Sequence, residues 1–247
     1  MLLEDDQIVI IFGMLIIFFM VLLVYGLINK VYSDDYPETS ANINTLEMNN
    51  GDLVCVSYPN IAGAFVSSFS RSIWSHTGTI WVDPESNLRY VVEGAIYRHK
   101  KYQNFQKIPL ETWLYFNRNS IIAYKKYNGP PISSVYMEKI FNPFIENCTL
   151  EGFNIFWARF LVQKPYYEYV FNSKYTCLEF TIILGQELGI YQKKYIYCSY
   201  LTNEIVNNGI EFCSGISYSK PVQITCQYSD LVLLKEDMKN NKNFWKK

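Results

Sequence analysis

The chain has 247 residues, room for one domain with a sizeable core or for two small ones, and its 22 basic and 23 acidic residues leave a formal net charge of -1. Without a clustered surplus of Lys and Arg, nothing points to a duplex nucleic-acid surface, and no nucleic-acid partner is expected. Two histidines, His76 and His99, and six cysteines with no CxxC pair argue against a zinc centre of several imidazoles or paired thiolates.

In chain order, the first feature is an apolar run over 8–28, 21 residues without a charge. At about 1.5 Å per residue a helix of this length spans about 30 Å, the thickness of the bilayer hydrocarbon. The run lacks the basic start, short apolar core and small-residue cleavage site of a signal peptide. It is read as a retained transmembrane anchor, residues 1–30, whose partner is the lipid bilayer; a buried helix is the competing reading. Lys30 is the one basic residue close to either end, which tilts the rest of the chain toward the cytoplasmic side. Residues 31–49 read as a juxtamembrane linker, 50–234 as the folded domain and 235–247 as a polar tail.

The folded part opens with the turn signal Asn49-Asn50-Gly51-Asp52 and a short strand over 53–56. After a stretch without a clean period, 75–82 has strand character, 83–87 supplies a turn with Pro84, and 88–95 returns as the second strand of a hairpin. His76 lies at the entry of the first strand and Glu93 toward the exit of the second, so their side chains are within reach of each other. Glu93 interrupts an apolar run, and a carboxylate turned inward needs a donor, which a His76 ring N–H would supply. A carboxylate holding an imidazole is the orienting half of a nucleophile, base and orienter set. The plain alternative is a surface or core imidazole. His99, in the basic run 98–101, reads as part of a solvated face.

From 105 the pattern fits a loop, a short helix over 110–116 and a strand over 121–124. A Gly129-Pro130-Pro131 turn follows, and then a helix over 133–145 whose end Pro143 blurs. Residues 154–161 read as a short amphipathic segment. Tyr166, Tyr167 and Tyr169 are candidate cleft walls or ordinary core aromatics.

Next comes Lys174-Tyr175-Thr176-Cys177-Leu178-Glu179. Thr176 and Glu179 have capping-box spacing, which makes Cys177 the first residue of a helix. A thiol there meets the positive end of the helix and its unpaired N–H groups, which favour thiolate over thiol and suit a nucleophile. Cys177 as one more small buried hydrophobe is the alternative. The helix runs on to Gly189, a C′ terminator. Beyond it, 222–225 and 231–234 have strand character.

The order Gly51-Asp52, His76-Thr77-Gly78, Glu93-Gly94, Cys177-Leu178-Glu179 resembles the circularly permuted NlpC/P60, or YiiX-like, group of papain-like cysteine amidases and peptidases, which has members in poxviruses and other large DNA viruses. The likeness covers roughly 50–190, and Leu178 stands where the group often has Ser. It implies an α+β fold with a small antiparallel, barrel-like sheet packed on the Cys-bearing helix, here preceded by the transmembrane helix. Cys177 becomes the implied nucleophile, His76 the general base and Glu93 its orienter. The Cys177 backbone N–H and, near the end of the first strand, Tyr58 are candidate oxyanion donors. The implied activity is that of a membrane-anchored thiol hydrolase or acyltransferase cleaving an amide or ester through a thioacyl-enzyme. Its substrate would be a peptide, a lipidated protein or a lipid, and no metal or organic cofactor is implied. Two rival classes stand beside it. One is a catalytically inactive scaffold acting as a viral membrane structural or interaction protein. The other is an oxidatively folded ectodomain with Cys177 in a disulfide.

Overall fold

The structure, a computed structural model, describes residues 5–32, 36–60, 63–64, 72–96, 103–150, 164–165, 174–175, 177–193, 195–196 and 211–225. A first helix, α1, covers Asp5–Tyr32. The strands that follow are β1 (Thr39–Asn42), β2 (Leu53–Ser57), β3 (His76–Val82), β4 (Arg89–Ile96) and β5 (Gln103–Pro109). Helix α2 (Leu110–Phe116) continues directly from β5, and β6 (Ile121–Lys125) and β7 (Tyr127–Asn128) come next. Helix α3 (Ser134–Asn147) precedes β8 (Thr149–Leu150), β9 (Lys164–Pro165) and β10 (Lys174–Tyr175). Helix α4 (Cys177–Glu187) is followed by β11 (Tyr195–Ile196), β12 (Ser217–Tyr218) and β13 (Val222–Thr225).

Seven strands form one sheet in the order β1-β13-β6-β2-β3-β4-β5. The barrel-like, antiparallel sheet expected from the sequence is corrected on both counts. Strand β1 runs parallel to β13 while the other pairs are antiparallel, so the sheet is mixed. It is also open, because closure would need its two edges, β1 and β5, to pair, and they do not. Strand β2, buried at all five residues, runs up its middle between β6 and β3.

The period of two along each strand divides the core between the two faces. On one face Trp81, Val92 and Phe105 pack against Met137 and Phe141 of α3 and Phe180 of α4. On the other Ile80, Val91 and Ile108 pack against Leu110, Trp113 and Leu114 of α2. Helix α3 is capped by Ser133, whose side chain accepts from the Tyr136 N–H, and it runs through Pro143. Helix α4 ends in a Schellman motif: Ile190 N–H reaches Gly185 C=O at 2.7 Å and Gly189 N–H reaches Gln186 C=O at 3.2 Å. Gly189 takes the left-handed φ of +75° that the motif needs.

The anchor is corrected as well. Among the described residues no helix is long and apolar enough to cross a membrane. The membrane terms of the sequence reading fall with it: single-pass anchor, bilayer partner and cytoplasmic-side placement of a membrane protein. Part of the stretch read as a juxtamembrane linker is strand β1, hydrogen-bonded along β13.

Candidate active site

Glu93 follows Val91 by two positions on β4 and so turns to the same face, toward α2. It is fully buried, and three donors surround it. His76 Nε2 lies 2.7 Å and Trp113 Nε1 2.6 Å from its Oε2, while Gln106 Nε2 donates to its Oε1 at 3.3 Å. Gln106 stands opposite Glu93 in the β4–β5 register, and Trp113 is one turn into the helix that continues β5. Neither was singled out in the sequence. Gln106 lies in a stretch read as loop, and Trp113 looks like one more core aromatic.

His76, the first residue of β3, is 5% exposed. With Nε2 given to Glu93, Nδ1 is the ring nitrogen left for its hydrogen bond with the Cys177 side chain. Burial opposes the imidazolium more strongly than any one other influence. The hydrogen bonds to Cys177 and Glu93 and the charges of both partners together outweigh it, and push His76 up to about 10. The ring of Tyr58 stacks on that of His76, with centroids 6.2 Å apart and planes 25° from parallel. Its backbone N–H donates to Ser75 Oγ, beside the start of β3.

The His-x-Gly spacing has a steric cause. Gly78 shares a face with His76, and a Cβ there would come within 2.3 Å of Val91 Cγ1 and 3.4 Å of Glu93 Cβ. Without that Cβ, Val91 and Glu93 lie close under β3, and His76 reaches across to the carboxylate. The Gly-Asp pair is equally structural. Asp52 is buried and accepts from Asn49 N–H at 2.6 Å, Tyr124 Oη at 2.7 Å and Tyr127 N–H at 2.7 Å. Burial raises its carboxyl above the ordinary value and these hydrogen bonds offset part of the rise. The Asp52 contacts tie the turn before β2 to β6 and β7, away from the His76–Glu93 pair.

Cys177 is the first residue of α4, half-buried, with a free thiol. One turn on, Thr181 Oγ1 donates to the Cys177 carbonyl at 3.2 Å and accepts from Thr77 Oγ1 at 3.3 Å. Thr77 neighbours His76, so this link sets the start of α4 against the start of β3. Glu179 is fully buried in the first turn. Thr176, His99, Tyr166, Tyr167, Tyr169, and the segments 154–161 and 231–234 lie outside the described residues, as does the side chain of Leu178. Cys148 and Cys213 are free thiols too, and with Cys177 itself free the disulfide there that an oxidatively folded ectodomain would require is not formed. Among the described residues no group of three or more His, Cys, Asp or Glu is placed to hold a metal ion.

No protein-family model matches this chain, and no curated protein matches it. Among solved structures it is similar to the metalloprotein yiiX from Escherichia coli O157:H7, with a TM-score of 0.44 and 11% identity over 70% of this chain and 97% of that one. The likeness is weak and partial, and neither NlpC/P60 membership nor a viral source follows from it.

Proposed function

We propose that the protein is a cysteine-type hydrolase or acyltransferase that cleaves an amide or ester bond through a thioacyl-enzyme, on a permuted, papain-like NlpC/P60 plan. One observation carries the reading: a buried imidazole held by a carboxylate on one nitrogen and hydrogen-bonded to a helix-start thiol on its other side. His76 takes the proton from Cys177 Sγ, and the thiolate attacks the carbonyl carbon of the substrate. The tetrahedral intermediate collapses as imidazolium gives its proton to the departing amine or alcohol, which leaves a thioester on Cys177. Water, or another acceptor hydroxyl or amine, then gives a proton to His76 and attacks the thioester, and the thiolate is released. Glu93 holds the ring throughout. The Cys177 backbone N–H lacks an intrahelical partner and supplies one oxyanion donor, with Tyr58 the candidate for a second.

The test is alkylation of Cys177 across pH in the full chain, followed by mass mapping, for wild type and His76→Ala. Reactivity at Cys177 well below pH 8 that disappears with His76 supports the reading. Hydrolysis of acyl amide and ester panels, with Cys177→Ala as the blank, then defines the substrate. A Cys177 that is inert, or equally reactive without His76, overturns it in favour of a binding scaffold.

A further inference from the structure

Glu93 is clamped from a single short segment. Gln106 on β5 takes its Oε1, and seven residues later Trp113 on α2 takes its Oε2, the oxygen that also holds His76. An indole N–H donates and cannot accept, so Oε2 has to be an acceptor toward Trp113. Two donors then converge on one oxygen, which bars a carboxyl proton from that position. With Oε2 restricted to accepting, the hydrogen on the His76–Glu93 contact belongs to His76 Nε2. In the neutral ring Nδ1 is then left with its lone pair toward Cys177.

We infer that Trp113 is a positioning residue of the Cys177–His76–Glu93 set, its indole N–H keeping Glu93 an acceptor and thereby fixing the His76 tautomer that serves as base. The inference rests on the function proposed above and extends it to a residue that touches neither thiol nor substrate. Trp113 also packs with Leu114 and other residues of the α2 core, and a purely structural role is the reading to be separated from it.

The experiment compares the pH profile of Cys177 alkylation in the full chain for wild type, His76→Ala, Trp113→Phe and Leu114→Ala. Phe keeps most of the packing and loses the donor, while Leu114→Ala loses core packing in the same cluster and no polar contact. With that donor gone, Oε2 is no longer held to accepting and the His76 tautomer is no longer fixed, so the thiol loses part of its base and the acid limb of Trp113→Phe moves upward by about one pH unit. Leu114→Ala keeps the wild-type limb. A wild-type limb in Trp113→Phe, or the same displacement in Leu114→Ala, overturns the inference while leaving the His76-dependent thiol intact. Loss of the wild-type difference from His76→Ala overturns the function itself and the inference with it. Should Trp113→Phe fail to fold, the indole N–H signals of the five tryptophans in 15N-labelled wild type decide the matter. One signal that follows the His76 titration and stands still in His76→Ala supports the inference, and none that does so overturns it.

Discussion

Glu93→Gln removes a charge from the site with little change of shape, because the surroundings can rearrange to receive an amide. Its oxygen, placed where Oε2 was, still accepts from His76 Nε2 and Trp113 Nε1. Its NH2 then faces Gln106, whose Oε1 is buried and without a hydrogen-bond partner, and a half-turn of the Gln106 amide presents that oxygen as acceptor. The hydrogen bonds survive and the charge is gone. Opposite unit charges about 4 Å apart at an effective dielectric near 20 attract by about 4 kcal/mol, which corresponds to about 3 pH units. In the wild type burial disfavours the imidazolium, yet the partners Cys177 and Glu93 hold His76 up at about 10. NMR titration of the His76 ring, with His99→Gln removing the second histidine signal, should therefore find it lower by about 2–3 units in Glu93→Gln.

The same shift has a signature in stability. A histidine whose folded value exceeds its unfolded one contributes stability that is complete below about 6.5 and is lost as pH rises through about 10. Urea midpoints at pH 6 and pH 10 should differ more for wild type than for Glu93→Gln. A His76 titration within about half a unit of wild type would refute the ion-pair reasoning, since a carboxylate at 2.7 Å cannot be neutralised without moving its partner.

Gly78→Ala forces a Cβ to 2.3 Å from Val91 Cγ1 in a fully buried layer; a loss of about 1–3 kcal/mol in urea unfolding is expected, partly restored by Val91→Ala. Thr181→Val leaves buried Thr77 Oγ1 without its Thr181 acceptor and frees the Cys177 carbonyl. It should cost about 1–2 kcal/mol by chemical denaturation and slow Cys177 alkylation more than that of Cys148. Asp52→Asn sets an amide NH2 against donors that now meet a carboxylate, a loss of about 2 kcal/mol or more, with the His76-dependent reactivity of Cys177 retained in the folded fraction.

The hairpin that carries His76 and Glu93 was legible because Thr77, Thr79, Ile80, Val91 and Val92 write a strand pattern on both sides of a Pro-containing turn. Helix α4 was legible from its apolar run and from Gly189 at its end. Strand β5 was not. Its inward positions include Gln106, which turns toward Glu93 and so interrupts the alternation of apolar residues by which a strand is recognised. A polar residue that serves another buried polar residue removes the signal of its own element. Strand β1 escaped for a different reason, since Thr39–Asn42 holds no large hydrophobic residue and owes its conformation to pairing with β13, about 180 residues away in the chain. The seven-strand order, with β13 inserted between β1 and β6, depends on such long-range pairing and has no local signature.

The geometry at Glu93 depends on register more than on any one contact. His76, Gly78 and Ile80 face α2, while Thr77 and Trp81 face α4 and α3. A slip of β3 by one residue would exchange these sets, carrying His76 away from Glu93 and putting a threonine over the carboxylate. Gly78 opposes that slip, because the position over Val91 has no room for a Cβ and neither Thr77 nor Thr79 can occupy it. Trp81 opposes it from the other end, since its Nε1 donates to Ser134 C=O at 3.0 Å at the start of α3 and would lose that partner. The glycine that carries no chemistry and the tryptophan far from the thiol thus determine which way the imidazole points. Substitutions at either should disturb Cys177 reactivity through His76, with the thiol itself untouched.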